Sequence, residues 1–174
     1  INSQNQAPNV YLDKSIINQQ AIDIATINGG EIKAILISLP ISEAIKRSES
    51  RGKEIGRFED THEILTAHNS IAIKLTDLLI KNARKNITYS LYDNNIDVIR
   101  SPLKISEINL KSKKITIYNE VKFFELLNKS NLDIEESIKQ QEIIYAHKNN
   151  ITGCDLLNEI SLSGYDIEPA LSIC

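Results

Sequence analysis

Residues 28–40, NGGEIKAILISLP, form the stretch that decides the fold. Glycine takes the left-handed conformation at low cost, so Gly29-Gly30 ends the helix that precedes them. Glu31 to Leu39 then reads as a strand, rich in isoleucine and leucine and stopped by Pro40. On a two-residue repeat, Ala34, Leu36 and Ser38 share one face and Ile35, Ile37 and Leu39 the other. Both faces are largely apolar, the pattern of a parallel strand covered by helices on each side. Upstream, Ser15 is a suitable N-cap, and Ile16, Ile17, Gln20, Ile24 and Ile27 follow with helical spacing. A helix, a two-glycine joint and a buried strand make the repeating step of an α/β fold.

Working outward, Ser42 can cap a helix from about Glu43 to Arg51 that ends at Gly52. Lys53 to Glu59 reads as a charged loop around Gly56. Asp60-Thr61-His62-Glu63 fits a capping box, with Asp60 accepting from the Glu63 amide. The long helix behind it carries Ile64, Leu65, His68, Ile71, Leu75, Leu78 and Leu79 on one stripe and runs to about Arg84-Lys85. Ile87 to Tyr92 is a second strand closed by Asp93-Asn94-Asn95, and Asp97 to Arg100 is a short edge candidate. Beyond Pro102, Lys104 to Lys114 alternates apolar with polar residues, and Lys114 to Tyr118 suits a third strand. Helices are expected over Val121–Asn128, Ile134–Ala146 and Cys154–Ile160. The expected class is therefore α/β, a parallel sheet flanked by helices over residues 1–100, with a mainly helical extension over 101–174.

Composition narrows the function classes. The 174 residues are 41% hydrophobic and 25% charged with a net charge of −3, so no global charge favours nucleic acid or an anionic membrane. No apolar run approaches the roughly 20 residues of a membrane helix. The two cysteines, Cys154 and Cys174, are too few for a metal site; a disulfide between them is possible, but with nothing in the sequence to support it the default expectation is that they are reduced and incidental. The first residue is Ile1, which suggests a trimmed product or a piece of something longer.

The chemistry-bearing stretch is Ile45 to His68, IKRSESRGKEIGRFEDTHEILTAH. Arg47 and Arg51 lie four apart on one helix face, and Arg57 follows in a glycine-containing loop. Guanidinium forks bind phosphate oxygens bidentately and stabilise the charge that spreads in phosphoryl transfer. That set suits a mobile lid over a polyphosphate. It also suits an ordinary mixed-charge surface helix, since Glu43, Glu49, Glu54, Glu59 and Asp60 are interleaved with it, Glu43 at ion-pair spacing from Arg47.

A hydrophobic strand ending at Pro40, a helix with Arg47, then RGKEIGRF (51–58), a capped helix and a histidine resembles the C-terminal half of zeta-toxin-like P-loop kinases. Ser15 to Gly30 is similar to the helix and glycine turn before that strand in the family, and Ile87 to Asn95 to its last core strand and turn. The resemblance covers roughly Val10 to Asp97. It implies phosphorylation of a hydroxyl, as on a UDP-amino sugar, by ATP or GTP with Mg²⁺. It implies nucleotide-phosphate contacts from Arg47 and Arg57, with Arg51 assisting, and places Asp13 and Lys14 on the substrate side. The family's G-x-x-x-x-G-K-[ST] loop and catalytic aspartate are absent from these 174 residues. The expected identity is a fragment or degenerate form of such a kinase, inactive alone, with catalytic groups upstream. The alternative is a non-catalytic protein-binding module that kept the scaffold. A third possibility is a tail that covers the nucleotide site as an antitoxin helix would. Partners then include nucleotide, a small-molecule substrate and an antitoxin or other protein, without nucleic acid or membrane; the expected site of action is cytoplasmic.

Other residues point to structural roles. His62 and His68 are six apart, which does not suit a metal pair on a helix. His62 is expected to be exposed, His68 to pack on the apolar stripe, and His147 to sit near a helix end. Tyr89, Tyr92 and Tyr118 fit core or interface positions better than base stacking.

Overall fold

A computed structural model describes the protein over residues 19–27, 29–95, 101–146 and 153–168, the side chains of 21 and 25 excepted. Helix α1 (Gln19–Ile27) turns through Gly29 at φ 70° into β1 (Ile32–Ser38). Two helices follow, α2 (Ile41–Ile55) and α3 (Thr61–Lys81), then β2 (Ile87–Asp93), β3 (Leu103–Asn109) and β4 (Lys114–Ile117). The chain continues through α4 (Glu120–Asn128), a 3-10 turn (Lys129–Asn131), α5 (Ile134–Gln140), α6 (Gly153–Leu162) and β5 (Asp166–Glu168).

The strands form one sheet in the order β1-β2-β3-β4-β5. β1 and β2 are parallel, Ile32 opposite Ile87 and Ser38 opposite Asp93. β2–β3 and β3–β4 are antiparallel, and β4–β5 is parallel. The sheet is therefore mixed, which corrects the expected parallel sheet. Connection length explains the difference. α2 and α3 supply the long crossover that a parallel pair needs, whereas Leu110 to Lys113 leave room only for a hairpin.

The helices that build the core lie on one face of this sheet. Ile87, Tyr89 and Leu91 of β2, Ile108 of β3 and Ile115 of β4 pack with Leu75 and Leu79 of α3, Phe123 and Leu127 of α4, and Leu156 and Ile160 of α6. Ile22 of α1 joins them. Each such side chain stabilises by about 1.5–3 kcal/mol through its removal from water. On the opposite face Ile35 and Ile37 are 68% and 56% exposed. The expectation of helices on both sides of β1 is thus corrected: apolar residues on both parities announced a face that something should cover, and the described helices cover only one.

Residues after 100 contribute β3, β4 and β5 to the sheet, and their side chains share one core with those before it. Tyr165 seals the join, its buried hydroxyl donating to the Leu79 carbonyl at 2.7 Å.

Local boundaries depart from expectation for identifiable reasons. α2 passes through Gly52 and stops at Gly56, which takes φ 70° while its amide bonds the Gly52 carbonyl at 3.1 Å. Its N-cap is Pro40 rather than Ser42. Asp60 caps α3 by accepting from the His62 amide at 2.7 Å, in place of the expected Glu63 amide. α3 ends at Lys81, where the buried Asn82 side chain donates to the Leu78 carbonyl. α5 halts at Gln140, and the chain turns back so that the Asp133 amide meets the Ile144 carbonyl at 2.9 Å. Cys154 is disulfide-bonded, correcting the expectation of a reduced thiol. Asp97–Arg100, His147 and Cys174 lie outside the described residues. No described helix is long and apolar enough to cross a membrane.

Candidate anion-binding site

The carboxyl ends of β1 and β2 lie side by side, tied by the Asn94 amide donating to the Ser38 carbonyl at 2.9 Å. Carboxyl ends of parallel strands are where open α/β sheets place ligands. Pro40 turns the chain directly from β1 into α2, so the helix faces this edge with Arg47 one and a half turns in.

The three arginines singled out from sequence come together here. Arg47, Arg51 and Arg57 line one cleft of about 130 Å³ with Leu39, Ala44, Ser48 and Glu59. That volume holds on the order of four water-sized groups, about the bulk of a phosphate. Arg47 is oriented: its Nε donates to Glu43 at 2.8 Å and its terminal nitrogen to the Asn94 carbonyl at 3.1 Å. Arg51 and Arg57 are exposed and have no hydrogen bond or ion pair among the described residues.

The loop that carries Arg57 is fastened at one point. Ser48 is buried, donates to the Glu59 carbonyl at 3.1 Å and accepts from the Glu59 amide at 2.9 Å. Phe58 folds back on Gly52, where a Cβ would meet its ring at 3.4 Å. The expected lid, Ile45 to Asp60, is thus helix to Ile55 and a short pinned loop beyond it.

A second cationic group sits across Leu39 and was not singled out from sequence. Lys129 is only 5% exposed, and its Nζ donates to Ser38 Oγ at 2.7 Å and to the Leu39 carbonyl at 2.6 Å. Burial pulls its pKa down to about 8, opposed by the charges of Asp93 and Glu125. Beside it His68 is pulled down to about 4, first by burial and then by the Lys129 charge. Asp93, buried at the end of β2, accepts from the Asn95 amide at 2.9 Å and pairs with Lys122 at 3.6 Å. Asp93 was legible as the fourth inward position of the alternation 87, 89, 91, 93; nothing in the sequence marks Lys129.

Asp13 and Lys14, assigned to the substrate side, lie outside the described residues. His62 is exposed, and Tyr89 lies in the core. Tyr118 is exposed and carries Lys104 over its ring. Among the described residues no group of three or more histidines, cysteines or carboxylates could hold a metal ion. The donor set here is cationic, which suits phosphate oxygens and not Mg²⁺.

No family model, no curated protein and no solved structure matches the chain.

Proposed function

We propose that the chain is the carboxyl-terminal part of a zeta-toxin-like kinase. Acting with an upstream phosphate-loop half, it would transfer phosphate from ATP or GTP to a hydroxyl of a small molecule such as a UDP-amino sugar. Arg47, Arg51 and Arg57 are its nucleotide-phosphate contacts. One observation carries this reading: three arginines from a helix and its following loop line a single cleft at the carboxyl ends of a parallel strand pair. Arg47 is preoriented by Glu43 and the Asn94 carbonyl, while Arg51 and Arg57 are left to bind an incoming anion. Mg²⁺ would be held by the upstream half and the nucleotide, since no described cluster of this chain suits it.

The test is nucleotide affinity of the full-length gene product and its Arg57→Ala variant. Loss of a charge-assisted contact should weaken binding by on the order of tenfold. Unchanged affinity would remove Arg57 from the site. A full-length product whose thermal stability does not respond to ATP or GTP would favour the second reading, a non-catalytic protein-binding module. The exposed apolar face at Ile35 and Ile37 supports that alternative.

A further inference from the structure

A hydroxyl and an amine meet at the end of β1. Ser38 is the last residue of that strand, at the carboxyl end of a parallel pair, where open α/β sheets gather their ligands. Lys129 Nζ lies 2.7 Å from Ser38 Oγ and 2.6 Å from the Leu39 carbonyl. Ser38 Oγ has no other hydrogen bond among the described residues. The amine comes from 91 positions further along the chain, so the tertiary fold builds this contact. Fastening β1 alone does not call for it: two neutral oxygens need two N–H donors, which a side-chain amide supplies without burying a charge.

The groups facing Lys129 set its protonation. β2 presents Asp93, which stands opposite Ser38 in the register, and α4 presents Lys122 and Glu125. α3 presents His68. Burial outweighs the two carboxylates and brings the amine to about 8. At that pH roughly half of it is uncharged and carries a lone pair. His68, held at about 4, stays neutral over the same range.

Ser38, His68 and Lys129 all line a cavity of about 210 Å³ between β1 and α3, with Leu36, Ile71, Leu75 and Leu78 among its walls. It has room for roughly seven carbon- or water-sized groups, enough for an acyl chain of about six carbons. The Leu39 amide, next along the chain from Ser38, has no acceptor among the described residues, which leaves a donor for a developing oxyanion.

We propose that Ser38 is a nucleophile with Lys129 as its general base, acting on carboxylic esters that carry a short apolar acyl chain. With the amine uncharged, the Ser38 hydroxyl donates to Nζ rather than accepting from it. Oγ attacks the ester carbonyl carbon and its proton passes to Nζ. The bond from that carbon to the alcohol oxygen then breaks, and the ammonium returns the proton to the departing oxygen. Water removes the acyl group from Ser38 by the same route, giving its proton to Nζ, from which it goes back to Oγ. The charges of Asp93 and Glu125 favour the ammonium formed midway. None of these groups is Arg47, Arg51 or Arg57, so the esterase chemistry is independent of the nucleotide reading.

The test is acylation of the protein by 4-nitrophenyl hexanoate, followed as 4-nitrophenol release above the protein-free rate and by peptide mass spectrometry. The expected result is a hexanoyl adduct on Ser38, formed at a rate that climbs with pH and levels above about 8 as the amine loses its proton. Ser38→Ala deletes one hydroxyl, leaves the Lys129–Leu39 bond, and should abolish the adduct. Lys129→Met should slow acylation by on the order of 100-fold. If that variant does not fold, the wild-type pH profile and Ser38→Ala decide between them. Absence of an adduct on Ser38 overturns the proposal, as does an adduct on Lys129 in its place. A rate that follows hydroxide without levelling, or an equal rate in folded Lys129→Met, overturns the base assignment and the proposal with it.

Discussion

Replacing Lys129 by methionine tests the physical account of the carboxyl end of β1 most directly. The lysine is 5% exposed and its pKa is pulled to about 8, whereas in the unfolded chain it titrates near the usual 10.5. Below about pH 8 the amine is charged in both states, and the folded protein bears the full cost of burying that charge. Between the two values the unfolded chain binds more protons, so stability rises with pH. Above about 10.5 the amine is neutral in both states and the cost is gone. At about 1.4 kcal/mol per pH decade, the whole interval corresponds to roughly 3 kcal/mol. The assay is urea unfolding of wild type and Lys129→Met at intervals from about pH 7 to 10.5, read as the difference between them. Lys122 is raised by its bond to Glu125, so its own titration lies further from this interval. Methionine also loses the bonds to Ser38 and Leu39, which fixes the offset at pH 7 but not the slope. Wild type should gain on the variant steadily as pH climbs. A difference that stays flat within about 0.5 kcal/mol would refute the picture of a desolvated amine.

Acid should act through His68 with a matching logic. Held at about 4 by burial, it excludes the proton that the unfolded chain takes up near 6.5, so stability is lost as pH falls through that interval. The loss should be about 2 kcal/mol after allowance for partial exposure, and His68→Gln should remove it in paired unfolding curves. Two identical substitutions should have opposite outcomes. Tyr165→Phe deletes a buried hydrogen bond to the Leu79 carbonyl and should cost about 1–2 kcal/mol in chemical denaturation. Tyr89→Phe removes a buried hydroxyl that has no hydrogen-bond partner among the described residues, so its cost should stay within about 0.5 kcal/mol or change sign.

Much of this fold was legible because local rules and tertiary packing agree. The Gly29 joint, β1, the α3 stripe and β2 fall where turn chemistry and periodicity put them. The apolar positions of α3 that share a stripe, such as Leu75 and Leu79, are buried in the core. Sheet direction was not legible. Whether Leu103–Asn109 pairs parallel or antiparallel depends on the chain between strands, and the alternating pattern is the same in both cases. β5 escaped notice because three residues with one apolar side chain carry no period. Of the site, the arginines were legible because residue type and helical spacing place Arg47 and Arg51 together, and the Ser48–Glu59 bonds bring Arg57 after them. Lys129 was hidden because its burial comes from contacts 90 positions away in sequence, at Ser38 and Leu39.

The same comparison shows why bulk charge misleads about this molecule. A net charge of −3 offers no drive toward anions, yet the carboxyl end of β1 gathers Arg47, Arg51 and Arg57 on one side of Leu39 and Lys129 on the other. Only Arg47 has a described carboxylate within ion-pair distance. Charges within roughly 10 Å act on a ligand before salt screens them, while the distant acidic residues that set the net value do not. Leu39 lines both cavities and Lys129 donates to its carbonyl, so one short segment borders two cation-bearing cavities. One is shaped by guanidinium forks and suits oxygen-rich anions. The other is an apolar trough, with Leu36, Ile71, Leu75 and Leu78 among its walls and the buried Lys129 ammonium tied to β1 at one end, so it offers shape and apolar surface in place of guanidinium forks.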